Sequence, residues 1–155
     1  MEAFFKLYKE KISDKSVVAP NGDCILWTST TSKDGKYGVL SYKHPTENKW
    51  KKITVHRLAY MLATNNLNID PNLDCSHLCH NSLCVNVEHL SLESKPINNN
   101  RNTCLRRGFC QNHENLPQCM LHLKLYTEMK GTYCMFNAEI FPVLGYFIRM
   151  KKANM

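Results

Sequence analysis

The sequence predicts an α+β fold, a small antiparallel sheet followed by a metal-stapled β-hairpin and helix, and three observations predict it. Turn signals at Pro20-Asn21-Gly22-Asp23, Lys33-Asp34-Gly35-Lys36 and His44-Pro45-Thr46-Glu47-Asn48 separate short apolar runs, as between antiparallel strands. Cysteines and histidines crowd at ligand-like spacings from Cys75 to Cys119. Between them, Ser94 suits a helix N-cap and Pro96 suits an early helical turn.

A length of 155 residues predicts one domain. Composition divides it into an N-terminal arm (1–19), a folded domain (20–120) and a C-terminal extension (121–155). The domain holds a sheet over 24–55, a hairpin-and-helix core over 74–104 and a second cysteine loop over 104–119. An apolar fraction of 43% and a mean hydropathy of −0.40 describe a soluble protein with modest core material, of the kind that recruits metals or a partner chain. The net charge of +7 and pI near 9.0 favour a polyanionic partner, nucleic acid first and an anionic membrane surface second. No apolar run approaches the roughly 18 residues that span a bilayer.

Eight cysteines are many for this length. The opening Met1-Glu2-Ala3-Phe4-Phe5-Lys6-Leu7 is soon broken by charge and lacks the apolar core and cleavage site of a signal peptide. A reducing compartment follows as the expectation, where cysteines interleaved with histidines read as zinc ligands. A secreted, disulfide-rich protein is set aside on the same grounds.

Taken in order, Phe4, Phe5, Leu7 and Ile12 among lysines predict a short amphipathic helix or a loose basic arm. Cys24-Ile25-Leu26-Trp27 predicts a buried strand. The stretch from Tyr37 to Lys43 alternates roughly between apolar and polar, and Trp50 to Val55 follows the next turn. About three antiparallel strands result, with aromatic and lysine side chains on one face. Such a ribbon is wide enough for a DNA major groove, where lysines meet phosphates. His56 to Ala63 predicts a helix, with Val55, Leu58, Ala59 and Leu62 on one face. Residues 65–73 form an Asn/Pro-rich loop. Residues 121–155 carry apolar patches such as Ile140 to Leu144 and a basic tail, and no chemistry attaches to them.

Cys79-x4-Cys84-x4-His89 offers three ligands where zinc takes four. Cys75 is the nearest further thiol, and Cys24 is a long-range alternative. Cys104-x5-Cys110-x2-His113-x5-Cys119 offers a local set of three cysteines and one histidine, with His122 competing for the last place. Both sites would be closed and structural. His77 is then left over beside the first staple, and Asn98 falls just inside the helix. A hairpin carrying His77 packed on that helix brings an imidazole base beside an oxygen ligand for a hard cation. Mg²⁺ needs few protein ligands and keeps the rest for water and phosphate oxygens.

Ser76-His77-Leu78-Cys79-His80-Asn81-x-x-Cys84-x-Asn86-x-x-His89-Leu90, then Glu93-Ser94 and Asn98-x-x-Arg101-Asn102-x-Cys104, resembles the His-Cys box homing endonucleases, a branch of the ββα-metal (HNH-like) nucleases. The resemblance covers about residues 20 to 120 and is strongest from 74 to 104. It implies a ββα-metal nuclease core that hydrolyses phosphodiester bonds of double-stranded DNA by a one-metal, Mg²⁺-dependent mechanism. It casts His77 as the general base and Asn98 as the Mg²⁺ ligand. It assigns Cys24, Cys79, Cys84 and His89 to one zinc and Cys104, Cys110, His113 and Cys119 to a second. It also implies a homodimer, because one such site cuts one strand.

Three departures from that family stand out. Its sheet arginine, which steadies the scissile phosphate, has no counterpart before Arg57; the hairpin offers Lys43, His44, Lys49 or Lys51 for DNA contact. Lysine supplies the charge without the bidentate fork. Arg101 and Asn102 are candidates for phosphate contact from the helix surface. The second cysteine loop has two residues, where the family has one, between Cys110 and His113, and the family's dimer-forming tail is not recognisable after Cys119. The alternative reading is a catalytically weak or inactive zinc-dependent DNA-binding protein on the same scaffold. Nuclear, or cytosolic, residence is the matching expectation, although no clear Lys/Arg-rich localisation run is present.

Overall fold

Phe4, Phe5, Tyr8 and Ile12 recur at helical spacing, and the chain meets that pattern with α1 (Glu2–Asp14). Glu2 in its first turn and Lys11 in its last complement the helix dipole. The computed structural model describes residues 1–20, 23–113 and 115–121. Tyr8 and Ile12 are buried in the main core, and the Tyr8 hydroxyl accepts the Lys43 amide at 3.1 Å. Of the two expectations for the N-terminal arm, amphipathic helix or loose basic arm, the helix is the one formed, and it packs into the core. Its apolar face needs a partner, and α2 supplies one.

The strands form three separate two-stranded antiparallel ribbons among the described residues, where one sheet of about three strands was expected. β1 (Ser16–Val18) pairs with β2 (Ile25–Trp27), β3 (Val39–Lys43) with β4 (Trp50–Thr54), and β5 (Asp74–His77) with β6 (Leu90–Glu93). The backbone hydrogen bonds give the reason. β2 uses its second edge against residues 83–85: Trp27 donates to the Leu83 carbonyl at 2.9 Å, and Val85 donates to the Ile25 carbonyl at 2.7 Å. That edge is closed to β3. The same pairing carries Cys24 to the hairpin core.

α2 (Val55–Ala63) buries Val55, Leu58, Ala59 and Leu62, the face expected of it. Arg57, on its opposite side, donates to the Leu73 carbonyl at 2.6 Å and the Asp70 carbonyl at 2.8 Å. This ties down the loop over 65–73. α3 (Lys95–Arg107) starts at Ser94 with Pro96 in its first turn. It stops at Gly108, whose φ of 75° provides a left-handed cap. No helix among the described residues is long and apolar enough to cross a membrane. The expected extension lies outside the described residues apart from Leu121, which is buried.

Gly38 shows how tightly the strands meet the core. A Cβ at this position would lie 2.5 Å from Trp27 Cδ1, and the Trp27 ring is itself held by an Nε1 hydrogen bond to the Thr30 carbonyl at 2.8 Å. Gly38→Ala is expected to cost about 1–3 kcal/mol through overpacking, read as a lower urea midpoint. An unchanged midpoint would show that the Trp27 ring yields freely.

Candidate metal centres and catalytic site

The first donor cluster forms where three chain segments converge. Cys24 precedes β2, Cys79 follows β5, Cys84 lies in the segment paired with β2, and His89 closes a 3-10 turn (Val87–His89). All four residues are buried, and their ligand atoms lie within 4.8 Å of one another. His89 Nδ1 is 3.6 Å from both Cys24 Sγ and Cys84 Sγ. A zinc tetrahedron with ordinary Zn–S and Zn–N bonds has an S···N edge of about 3.6 Å, so the donors fit the ion. The thiol equilibria agree. The Cys24 and Cys79 thiols pull Cys84 far below the ordinary thiol range, and the thiols of Cys24 and Cys84 push Cys79 far above it. Sulfurs packed this closely can all be thiolates only with a cation among them.

The second cluster is local. Cys104 sits in the last turns of α3, and Cys110, His113 and Cys119 follow in the loop. His113 Nε2 lies 3.5 Å from Cys104 Sγ and 3.3 Å from Cys119 Sγ. Two backbone amides point at sulfur: Gln111 donates to Cys104 Sγ at 3.4 Å and Cys119 to Cys110 Sγ at 3.3 Å. Burial pushes the Cys119 thiol up to about 12. Cys119 completes this set, while its expected competitor His122 lies outside the described residues. Two clusters of three cysteines and one histidine can thus hold structural zinc. Cys75 joins neither; burial pushes its thiol to about 12.

His77 ends β5, half-buried, with Nε2 at 3.1 Å from the Cys84 carbonyl. A carbonyl only accepts, so Nε2 carries the hydrogen and the neutral ring presents an unprotonated Nδ1. Burial lowers its pKa. Tyr37 stacks on this ring at 6.3 Å and 25°, and His56 lies 4.4 Å away. Tyr37 is set in place by Ser32, whose amide and hydroxyl bracket it: Ser32 N–H donates to the Tyr37 carbonyl at 2.8 Å, and Tyr37 N–H donates to Ser32 Oγ at 3.1 Å. His56 is buried, and burial together with the neighbouring His77 brings its pKa down to about 3. Its Nδ1 is buried with no hydrogen-bond partner among the described residues. Sequence reasoning had assigned His56 only to a helix. The signal for its second role is tertiary, because α2 packs on β5.

Asn98 lies in the first turns of α3, and its Nδ2 donates to Asp74 Oδ2 at 3.0 Å. That bond fixes the carboxamide orientation and leaves Oδ1 as the acceptor atom, an oxygen of the type a hard cation takes. Asp74 and His77 are the two ends of one strand, so β5 holds both Asn98 and the imidazole.

The expected DNA contacts fare unevenly. Lys43 and Lys49 are exposed, and Lys51 pairs with Glu47. His44 is buried, its Nδ1 engaged at 3.1 Å with the Thr46 hydroxyl and at 3.3 Å with the Glu47 amide, so it shapes the hairpin turn. Arg101 is 1% exposed and ion-paired with Glu93 inside the protein, which removes it from the phosphate-contacting set. Asn102, the other candidate on that helix, is exposed. The β3–β4 register instead places Lys43 opposite Trp50 and Ser41 opposite Lys52, all four exposed. Trp50, 68% exposed, and Lys52 were not singled out from sequence, although strand alternation from Lys43 would have found them.

A family model described as the zinc-binding loop region of homing endonuclease matches residues 23–130, more than half of the chain. Comparison with curated proteins and with solved structures finds no match.

Proposed function

This chain belongs to the family of homing endonuclease zinc-binding loop regions, and from that premise we propose that it is a Mg²⁺-dependent endonuclease hydrolysing phosphodiester bonds of double-stranded DNA. The observation that carries the reading is the double fixation on β5. The Cys84 carbonyl orients the His77 imidazole, and the Asp74 carboxylate orients the Asn98 carboxamide. A protein that only bound DNA would need neither.

His77 Nδ1 takes the proton of the attacking water, with Tyr37 and His56 limiting how the ring turns. Asn98 Oδ1 is the protein ligand for Mg²⁺, which when bound supplies charge stabilisation to the phosphate and the leaving 3′ oxygen. The two cysteine–histidine clusters hold the hairpin and helix in register and take no part in the chemistry. The exposed ribbon face of Lys43, Trp50, Ser41 and Lys52 lies against the duplex, its lysines on phosphates and its indole on an apolar base or sugar surface. Two copies of the chain supply the two sites that a double-strand break requires.

The test incubates zinc-loaded protein with plasmid DNA and Mg²⁺, alongside Asn98→Ala. The wild type is expected to cleave, and Asn98→Ala to lose at least about 10²-fold in rate, the scale on which one well-placed electrostatic group acts. Cleavage surviving intact in Asn98→Ala would remove the metal-ligand role. Zinc-dependent DNA binding without cleavage across a broad library would replace the enzyme with a DNA-binding protein on the same scaffold, a reading that the absent sheet arginine favours.

A further inference from the structure

We propose that Arg101 is a positioning residue that couples the second cysteine–histidine cluster to Asn98. The inference rests on the reading of Asn98 as the catalytic metal ligand.

Asn98, Arg101 and Cys104 follow one another at intervals of three along α3, so neighbours in this series share a helix face. Arg101 and Cys104 are the buried residues of this otherwise polar helix. The guanidinium is fully engaged on two sides. Toward the hairpin, Nε donates to Glu93 Oε1 and Nη2 to Glu93 Oε2, each at 2.7 Å. Toward the loop, Nη1 donates to the Pro117 carbonyl at 2.9 Å and reaches Cys119 Sγ at 3.6 Å.

The hairpin register gives this arrangement its consequence. Glu93 lies directly opposite Asp74 in the β5–β6 ladder, and Asp74 is the residue that holds Asn98. Two polar bridges, Arg101–Glu93 and Asn98–Asp74, therefore fix α3 to the same rung. A shift of Arg101 turns the helix and moves Asn98 with it. The N–H facing Cys119 Sγ also ties that sulfur, one of the four donors, to the same guanidinium. Only a planar fork can meet the carboxylate with two bonds and the loop with a third nitrogen; a lysine has one nitrogen to offer. The position thus calls for arginine specifically, and for reasons unrelated to DNA contact.

The experiment compares zinc-loaded wild type, Arg101→Lys and Glu93→Gln in two measurements. Competition with a chromophoric chelator is expected to show one of the two zinc ions held about 10-fold or more weakly in Arg101→Lys, with the other unchanged. The Mg²⁺ concentration for half-maximal cleavage is expected to rise severalfold in both variants while KM for DNA stays put, a split that general loosening of the fold would not produce. Equal weakening of both zinc ions, or no change in zinc retention, overturns the proposal, and so does an unmoved Mg²⁺ requirement. A wild type that cleaves nothing defeats the endonuclease reading separately. The coupling is then decided by the NMR signal of the Asn98 side-chain amide, assigned with Asn98→Ala: displaced in Arg101→Lys it stands, and unmoved it falls.

Discussion

His77→Ala should lower the single-turnover rate of DNA cleavage by about 10²- to 10⁴-fold, the usual contribution of a general base, with zinc content and DNA affinity unchanged. The expectation follows from how little structural duty this ring performs. Its one hydrogen bond among the described residues, at 3.1 Å from the Cys84 carbonyl, selects a tautomer. The carbonyl of Cys84 is otherwise part of a turn already braced by the Val85–Ile25 and Trp27–Leu83 pairs, so removing the imidazole leaves the backbone in place. His77→Gln keeps a hydrogen-bonding side chain of similar reach but cannot take up a proton at neutral pH, and should share the defect. Activity within a few-fold of wild type in both variants would end the assignment of His77 as base.

The second large effect concerns metal. Removing zinc with a chelator, or replacing Cys84 by Ala, should abolish cooperative unfolding as followed by circular dichroism. Structural zinc binding is worth about 10–16 kcal/mol in small zinc-dependent folds, whereas a domain has only about 5–15 kcal/mol of total stability. Cys84 is fully buried at the junction of the first cluster, β2 and the hairpin core, so its loss undoes the meeting of three segments. Elemental analysis should give two zinc ions per folded chain. A stripped protein that retains its circular dichroism and a sharp unfolding transition would contradict the structural role.

What could be read from sequence depended on distance along the chain. The second donor set, the α2 face and the start of α3 at Ser94 are all local patterns, and each stands where its residues placed it. β1 was invisible because Ser16-Val17-Val18 is too short to show alternation, and Val17 and Val18 remain exposed. The split of one expected sheet into ribbons depended on residues 83–85 claiming an edge of β2, an encounter that no periodicity announces. Arg101 misled for a similar reason. An arginine among asparagines on a polar helix looks solvated, and only the ladder position of Glu93 reveals the buried carboxylate waiting for it. His44 was drawn into its own turn by contacts two and three residues away, which a reading for charge alone passes over.

The unequal reach of the two donor sets has a kinetic consequence. Cys24 and His89, the ends of the first set, are 65 residues apart, whereas Cys104 and Cys119, the ends of the second, are 15 apart. Closing the longer loop costs about 1 kcal/mol more in chain entropy. A chain emerging from synthesis has Cys24 first but must wait for His89, and the later, shorter loop then closes with little further search. The first zinc therefore acts as a checkpoint on the whole assembly: it is captured firmly only by a molecule in which β2 has already found residues 83–85.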